Sequence, residues 1–116
     1  MPPEAEQQCI ARDANEAVEL LNVALTVGMP RAPLRCECGD SGCPGRLTVA
    51  HAEYEAVRGY GSRFVISLNH ENPESACVLS ENARFAVIDV VAGPVRHRVL
   101  ADNPRHSWVD AQDRSP

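Results

Sequence analysis

Three cysteines, Cys36, Cys38 and Cys43, fall within eight positions around the turn-forming run Gly39-Asp40-Ser41-Gly42. No other stretch restricts the chain so much. If the segment is extended, side-chain alternation projects Cys36 and Cys38 on one side and Glu37 on the other. The glycines then allow the backbone to turn and bring Cys43 back toward the pair. Backbone N–H groups in such a turn can hydrogen-bond thiolate sulfurs, lowering the cost of burying them as anions.

The rest of the composition makes a cross-link valuable. A chain of 116 residues forms one small domain, and its aromatic side chains are few: Tyr54, Tyr60, Phe64, Phe85 and Trp108. Its core must be built mainly from Val, Leu, Ile and Ala, which leaves it in need of a metal or a partner. The five cysteines are an odd number, and the sequence shows neither a signal-peptide pattern nor an apolar run long enough to span a bilayer. A cytoplasmic protein with reduced thiols is therefore expected, and a disulfide framework is not. Partners are constrained by charge. The chain has no lysine and a formal charge of -5, against what phosphate binding demands. Only Arg96-His97-Arg98 is locally basic, and it reads as a solvated segment. Nucleic acid and membrane are set aside, and the expected partner is another protein.

Along the chain, residues 1–8 read as a flexible lead-in. From Cys9 to Val27 the apolar positions Ile10, Ala14, Ala17, Val18, Leu21, Ala24 and Leu25 recur every three or four residues, which predicts a helix buried on that face. Gly28 and Pro30 end it. After the cysteines, Leu47 to Val49 is a short strand or a helix lead-in. Ala50 to Arg58 forms a second helix, with Ala50, Tyr54 and Val57 inward and Glu53, Glu55 and Arg58 in water. Strands follow at Arg63–Leu68, Ala76–Leu79 and Arg84–Val91, the last two as a hairpin. Cys9 is placed at the helix edge and Cys77 in the core. The segment 94–116 reads as a mostly flexible tail with a possible strand at Val95–Leu100. The expected fold is α+β: an N-terminal helix, a metal-binding Cys loop, a short second helix and a small antiparallel sheet in one domain, 9–93.

A structural zinc site requires four ligands, mostly Cys and His, in a closed tetrahedron. The cysteines give three. Of His51, His70, His97 and His106, His70 is favoured for the fourth, because a turn at the tip of a core strand can be held rigidly. His51 is second. The competing chemistry is redox, with Cys36 and Cys38 as a strained disulfide and Cys43 as resolving thiol.

The motif order Arg12-x-x-Asn15-Glu16, Cys36-Glu37-Cys38-Gly39-Asp40-x-x-Cys43, Glu53-Tyr54-Glu55-x-Val57-Arg58 and Phe64-x-Ile66 ending in His70-Glu71 resembles an uncharacterised family of small bacterial proteins. The resemblance spans Arg12 to Asp89. In that family the histidine follows Gly in a Pro-Gly-His-Glu turn; here Leu68-Asn69 replaces Pro-Gly, and Asn also tolerates left-handed geometry. The resemblance implies a zinc site of three cysteines and one histidine at Cys36, Cys38, Cys43 and His70, without implying an activity. The expected function is a non-catalytic, protein-binding or regulatory zinc module. The alternatives are a sensor of metal or oxidants, and a zinc hydrolase with an open three-cysteine site and Glu37 or Glu71 as general base.

Overall fold

A computed structural model describes residues 3–24, 31–40, 42–91 and 93–105. It shows an α+β fold with the order α1 (Pro3–Ala24), β1 (Arg31–Arg35), β2 (Arg46–Ala50), α2 (His51–Arg58), β3 (Arg63–Ile66), β4 (Ala76–Glu81), β5 (Ala86–Val90) and α3 (Gly93–Ala101). There are two antiparallel sheets among the described residues. One is the hairpin β1–β2 and the other has the order β3-β5-β4.

The strand β3 explains how the core closes. Phe64, Val65 and Ile66 are all fully buried, so β3 is covered on both faces, in keeping with its aromatic and β-branched composition. Phe64 and Ile66 pack with Ala5 and Cys9 of α1, with Val95 and Val99 of α3, and with Cys36 and Cys38. Val65 faces the other way, into a second cluster with Leu34, Leu47, Val49, Tyr54, Val57 and Phe85. The hairpin and α2 thus cover one side of β3, and α1 and α3 the other.

Several expectations change. The described part of the lead-in, residues 3–8, is helical: α1 begins at Pro3, where proline's fixed φ and missing N–H suit a first turn, and Glu4 and Glu6 favour the same helix end. Gly28 and Pro30 lie outside the described residues. Val95–Leu100 is not a strand but belongs to α3, whose Val95, Val99 and Leu100 are buried. That stretch is part of the packed body and not of a tail; residues 106–116, with Trp108, lie outside the described ones. Cys77 is exposed on the edge strand β4 rather than in the core, whereas Cys9 is buried. The largest change concerns α1, whose buried polar residues are Gln8, Arg12, Asn15 and Glu19, while Ile10 and Leu21 are exposed.

Candidate metal centre

The cysteine run is the loop of the β1–β2 hairpin. β1 and β2 pair from Arg31–Ala50 to Arg35–Arg46, and the N–H of Cys36 adds one further bond, to the Gly45 carbonyl at 3.2 Å. The loop then leaves its own sheet: the Glu37 N–H donates to the Val65 carbonyl at 2.9 Å. Cys36 and Cys38 are therefore delivered beside the end of β3. Beyond β3, the chain turns through Asn69, whose φ of 66° is left-handed, the geometry that Asn accepts more readily than other residues with a side chain. This turn presents His70. It is tied to α1 by Glu4, whose carboxylate accepts from Asn72 Nδ2 at 3.2 Å and from Ser75 Oγ at 2.7 Å.

The structure brings Cys36, Cys38, Cys43 and His70 together, with all four ligand atoms within 4.8 Å of one another. His70 Nδ1 lies 3.6 Å from Cys36 Sγ and 3.4 Å from Cys43 Sγ. A tetrahedral zinc with Zn–S near 2.3 Å and Zn–N near 2.0–2.1 Å has sulfur–nitrogen edges of about 3.5 Å. The two measured edges fit that figure, and the donor set suits zinc chemistry.

Each sulfur also has a backbone donor. Ser67 N–H donates to Cys36 Sγ at 3.1 Å and Gly45 N–H to Cys43 Sγ at 3.4 Å, while the backbone of Asp40 bonds Cys38. For Cys38 and Cys43 the donor sits two residues after the cysteine. Burial nevertheless pushes Cys38 up to about 12, with the neighbouring Cys36 adding to the shift, and burial also raises Cys36. A divalent cation would supply the positive charge that such clustered thiolates need. Space is tight: a Cβ on Gly45 would stand 2.7 Å from Ser67 Oγ, 3.1 Å from Cys36 Cβ and 3.2 Å from Cys43 Sγ. Glycine at 45 therefore lets the loop close.

Glu37 points to the opposite side of the chain, as alternation requires, and it is fully buried. Its carboxylate accepts from Asn15 Nδ2 at 2.8 Å and from Val65 N–H at 2.9 Å. Burial pushes its pKa up to about 7, against the hydrogen bonds from Asn15 and Val65 and the charges of Arg58 and Arg12. These contacts make Glu37 a structural group and remove it as a general base toward a metal-bound water. Asn15 also bonds the Arg35 carbonyl at 2.9 Å and accepts from Arg35 N–H at 2.8 Å. The start of the loop is thereby fixed to α1.

The other described histidines, His51 and His97, stand elsewhere. His51 Nδ1 is 2.8 Å from Glu19 Oε2, joining α2 to α1 and not entering the cysteine group. His97 is exposed on α3, and His106 lies outside the described residues. The charged residues of α2 are not simply in water. Arg58 is buried and its Nε donates to Glu16 Oε1 at 3.0 Å; Glu53 pairs with Arg84 at 2.7 Å and Glu55 with Arg105 at 2.7 Å. The small basic cluster lies on α3, with Arg96 3.6 Å from Asp89 and Arg98 paired with Asp102.

Sequence reasoning missed Gly45 and the Asn15–Glu37 pair as supports of this centre. The Cys-x-Gly spacing at 43–45, repeating the two-residue offset of Cys38 to Asp40, was a usable sign of the first. Asn15 and Glu37 both stand in the motifs that carry the resemblance, but nothing in the sequence marked them as a pair. Comparison with protein-family models, curated proteins and solved structures finds no match to this chain.

Proposed function

We propose that the protein is a small zinc-binding module in which Cys36, Cys38, Cys43 and His70 hold one Zn2+ in a closed structural site. The observation that supports this best is the convergence of four ligand atoms from two distant segments, with Nδ1 of His70 3.4 and 3.6 Å from two of the sulfurs. Four protein ligands complete the tetrahedron and leave no position for substrate, so the role is non-catalytic: the metal orders a domain that binds another protein or regulates one. Among the described residues no helix is long and apolar enough to cross a membrane. The same proposal takes the chain into the small bacterial family whose motif order it resembles.

A sensory role is the second reading, favoured by one feature. Cys36 and Cys38 are buried, but Cys43 is only half-buried and His70 is exposed, so metal exchange or oxidation would start from that edge. Cobalt substitution tests the closed site. A four-coordinate thiolate spectrum insensitive to added anions supports it, and five-coordinate or water-exchangeable cobalt overturns it. Measured zinc release by low peroxide, reversed by a thiol reductant, would favour the sensor.

A further inference from the structure

Helix α1 carries two opposed stripes. At helical spacing, Ala5, Gln8, Arg12, Asn15 and Glu19 share one face, and all five are buried. On the opposite face lie Ile10, Ala14, Ala17 and Leu21, while Leu20 lies to one side of this stripe, in the groove with Glu16, Glu19 and His51. Ile10 is 46%, Leu20 70% and Leu21 58% exposed. An amphipathic helix in an isolated domain normally turns the apolar stripe inward. Here the polar stripe is locked inward instead: Arg12 donates to the carbonyls of Gly61 at 2.9 Å and Val99 at 3.0 Å, Asn15 holds Arg35 and Glu37, and Glu19 meets His51. Rotating the helix to hide Ile10 and Leu21 would break all of these bonds and leave their buried partners unpaired.

We propose that the outer face of α1 docks an amphipathic helix of another protein that carries Lys or Arg beside its apolar stripe. This rests on the reading of the protein as an interaction module, and none of the residues it uses is a proposed metal ligand. Ile10, Ala14, Ala17 and Leu21 give anchors over about 16 Å of helix, the pattern a partner helix reads. Charge selects the occupant. Glu6 and Asp13, along the same edge of the stripe, are exposed, and the one cation of α1, Arg12, is buried. Arg98 of the neighbouring α3 acts on Glu6 but is already paired with Asp102, so a second copy would bring the same acid-rich edge, and an anionic lipid surface would be repelled. A basic flank is what completes this surface.

The test uses the zinc-loaded, 15N-labelled 116-residue chain and a synthetic helical peptide of Leu and Lys, with Leu at i, i+4, i+7 and i+11; a Leu/Glu peptide of the same pattern is the control. The expected result is saturable amide-shift change concentrated between Glu6 and Leu21, with the Leu/Glu peptide and the Leu21→Asp variant each binding about tenfold more weakly or worse. Leu21 is exposed, so the variant should keep its fold and metal content. Shifts that are absent or spread over the whole domain overturn the proposal, as does equal binding of both peptides. Sedimentation of the free protein as a dimer that Leu21→Asp dissociates also overturns it, giving the face to a second copy. A chain without metal that still binds the peptide at α1 contradicts the zinc reading alone. A fully metallated chain that ignores the peptide contradicts this one alone.

Discussion

The two sides of residues 36–38 are built on different principles. On one side Cys36 and Cys38, with Cys43 and His70, form a group whose cohesion is proposed to come from a metal. On the other, Glu37 enters a network made entirely by the chain: Asn15 and Val65 on its carboxylate, with Arg12 and Arg58 nearby. The first joins a hairpin loop to the end of β3. The second fixes the same loop to α1. A core with few aromatic side chains is thus closed by polar groups in two ways, one conditional on a ligand and one made by the chain itself, although Arg12 Nε and Arg58 Nη1 stay buried there without a hydrogen-bond partner among the described residues.

The sharpest way to break this comparison is to remove the metal. Chelation, or Cys38→Ser, should abolish metal binding and lower Tm by on the order of 10 °C or more, since structural zinc contributes folding free energy directly. Gly45→Ala should act in the same direction, because the new methyl presses on Ser67, Cys36 and Cys43; metal titration would show weakened affinity. The network side should respond differently. Asn15→Ala leaves the Arg35 backbone and the Glu37 carboxylate short of partners and should cost about 2–4 kcal/mol by urea unfolding, yet keep one metal per chain. Loss of metal in that variant would merge the two regions into one unit.

A smaller effect concerns pH. Burial pushes the Glu16 carboxyl up, but the hydrogen bond from Arg105 and the charges of Arg58 and Arg105 outweigh it and hold the group below its ordinary value of 4.5. A depressed folded pKa stabilises above the unfolded value, and that stabilisation is lost as pH falls through the folded one. Glu16→Gln should therefore cost about 1 kcal/mol at neutral pH, partial exposure screening the pair. The gap to wild type should close below the ordinary glutamate range, as urea midpoints measured across pH would show. The smallest effect belongs to Cys77→Ser. Its side chain is exposed, so stability should change by no more than about 0.5 kcal/mol and metal content not at all.

The cysteine group and its support by β3 were legible because spacing, turn chemistry and strand composition are local signals. Asn69 could be read as tolerating the left-handed turn for the same reason. The orientation of α1 was not legible. Periodicity reports that a helix has two faces, and apolarity normally decides which is buried; here long-range bonds from Arg12 to Gly61 and Val99 decided it, and those partners are invisible in sequence. Helix α3 was hidden by Gly93-Pro94, which reads as a strand terminator although proline also fits a helix's first turn. Cys77 looked internal because Val78 and Leu79 follow it, yet β4 is an edge strand with only Ala76 buried.

The central claim is a single metal held by Cys36, Cys38, Cys43 and His70, and native mass spectrometry with and without a chelator tests it most directly when wild type is read beside Cys36→Ser and His70→Ala. The account predicts one zinc per wild-type chain, lost to the chelator together with the folded charge-state distribution, and weakened or absent in both variants. One zinc retained in both variants with unchanged folding, or a wild-type chain that folds and binds none, would contradict it.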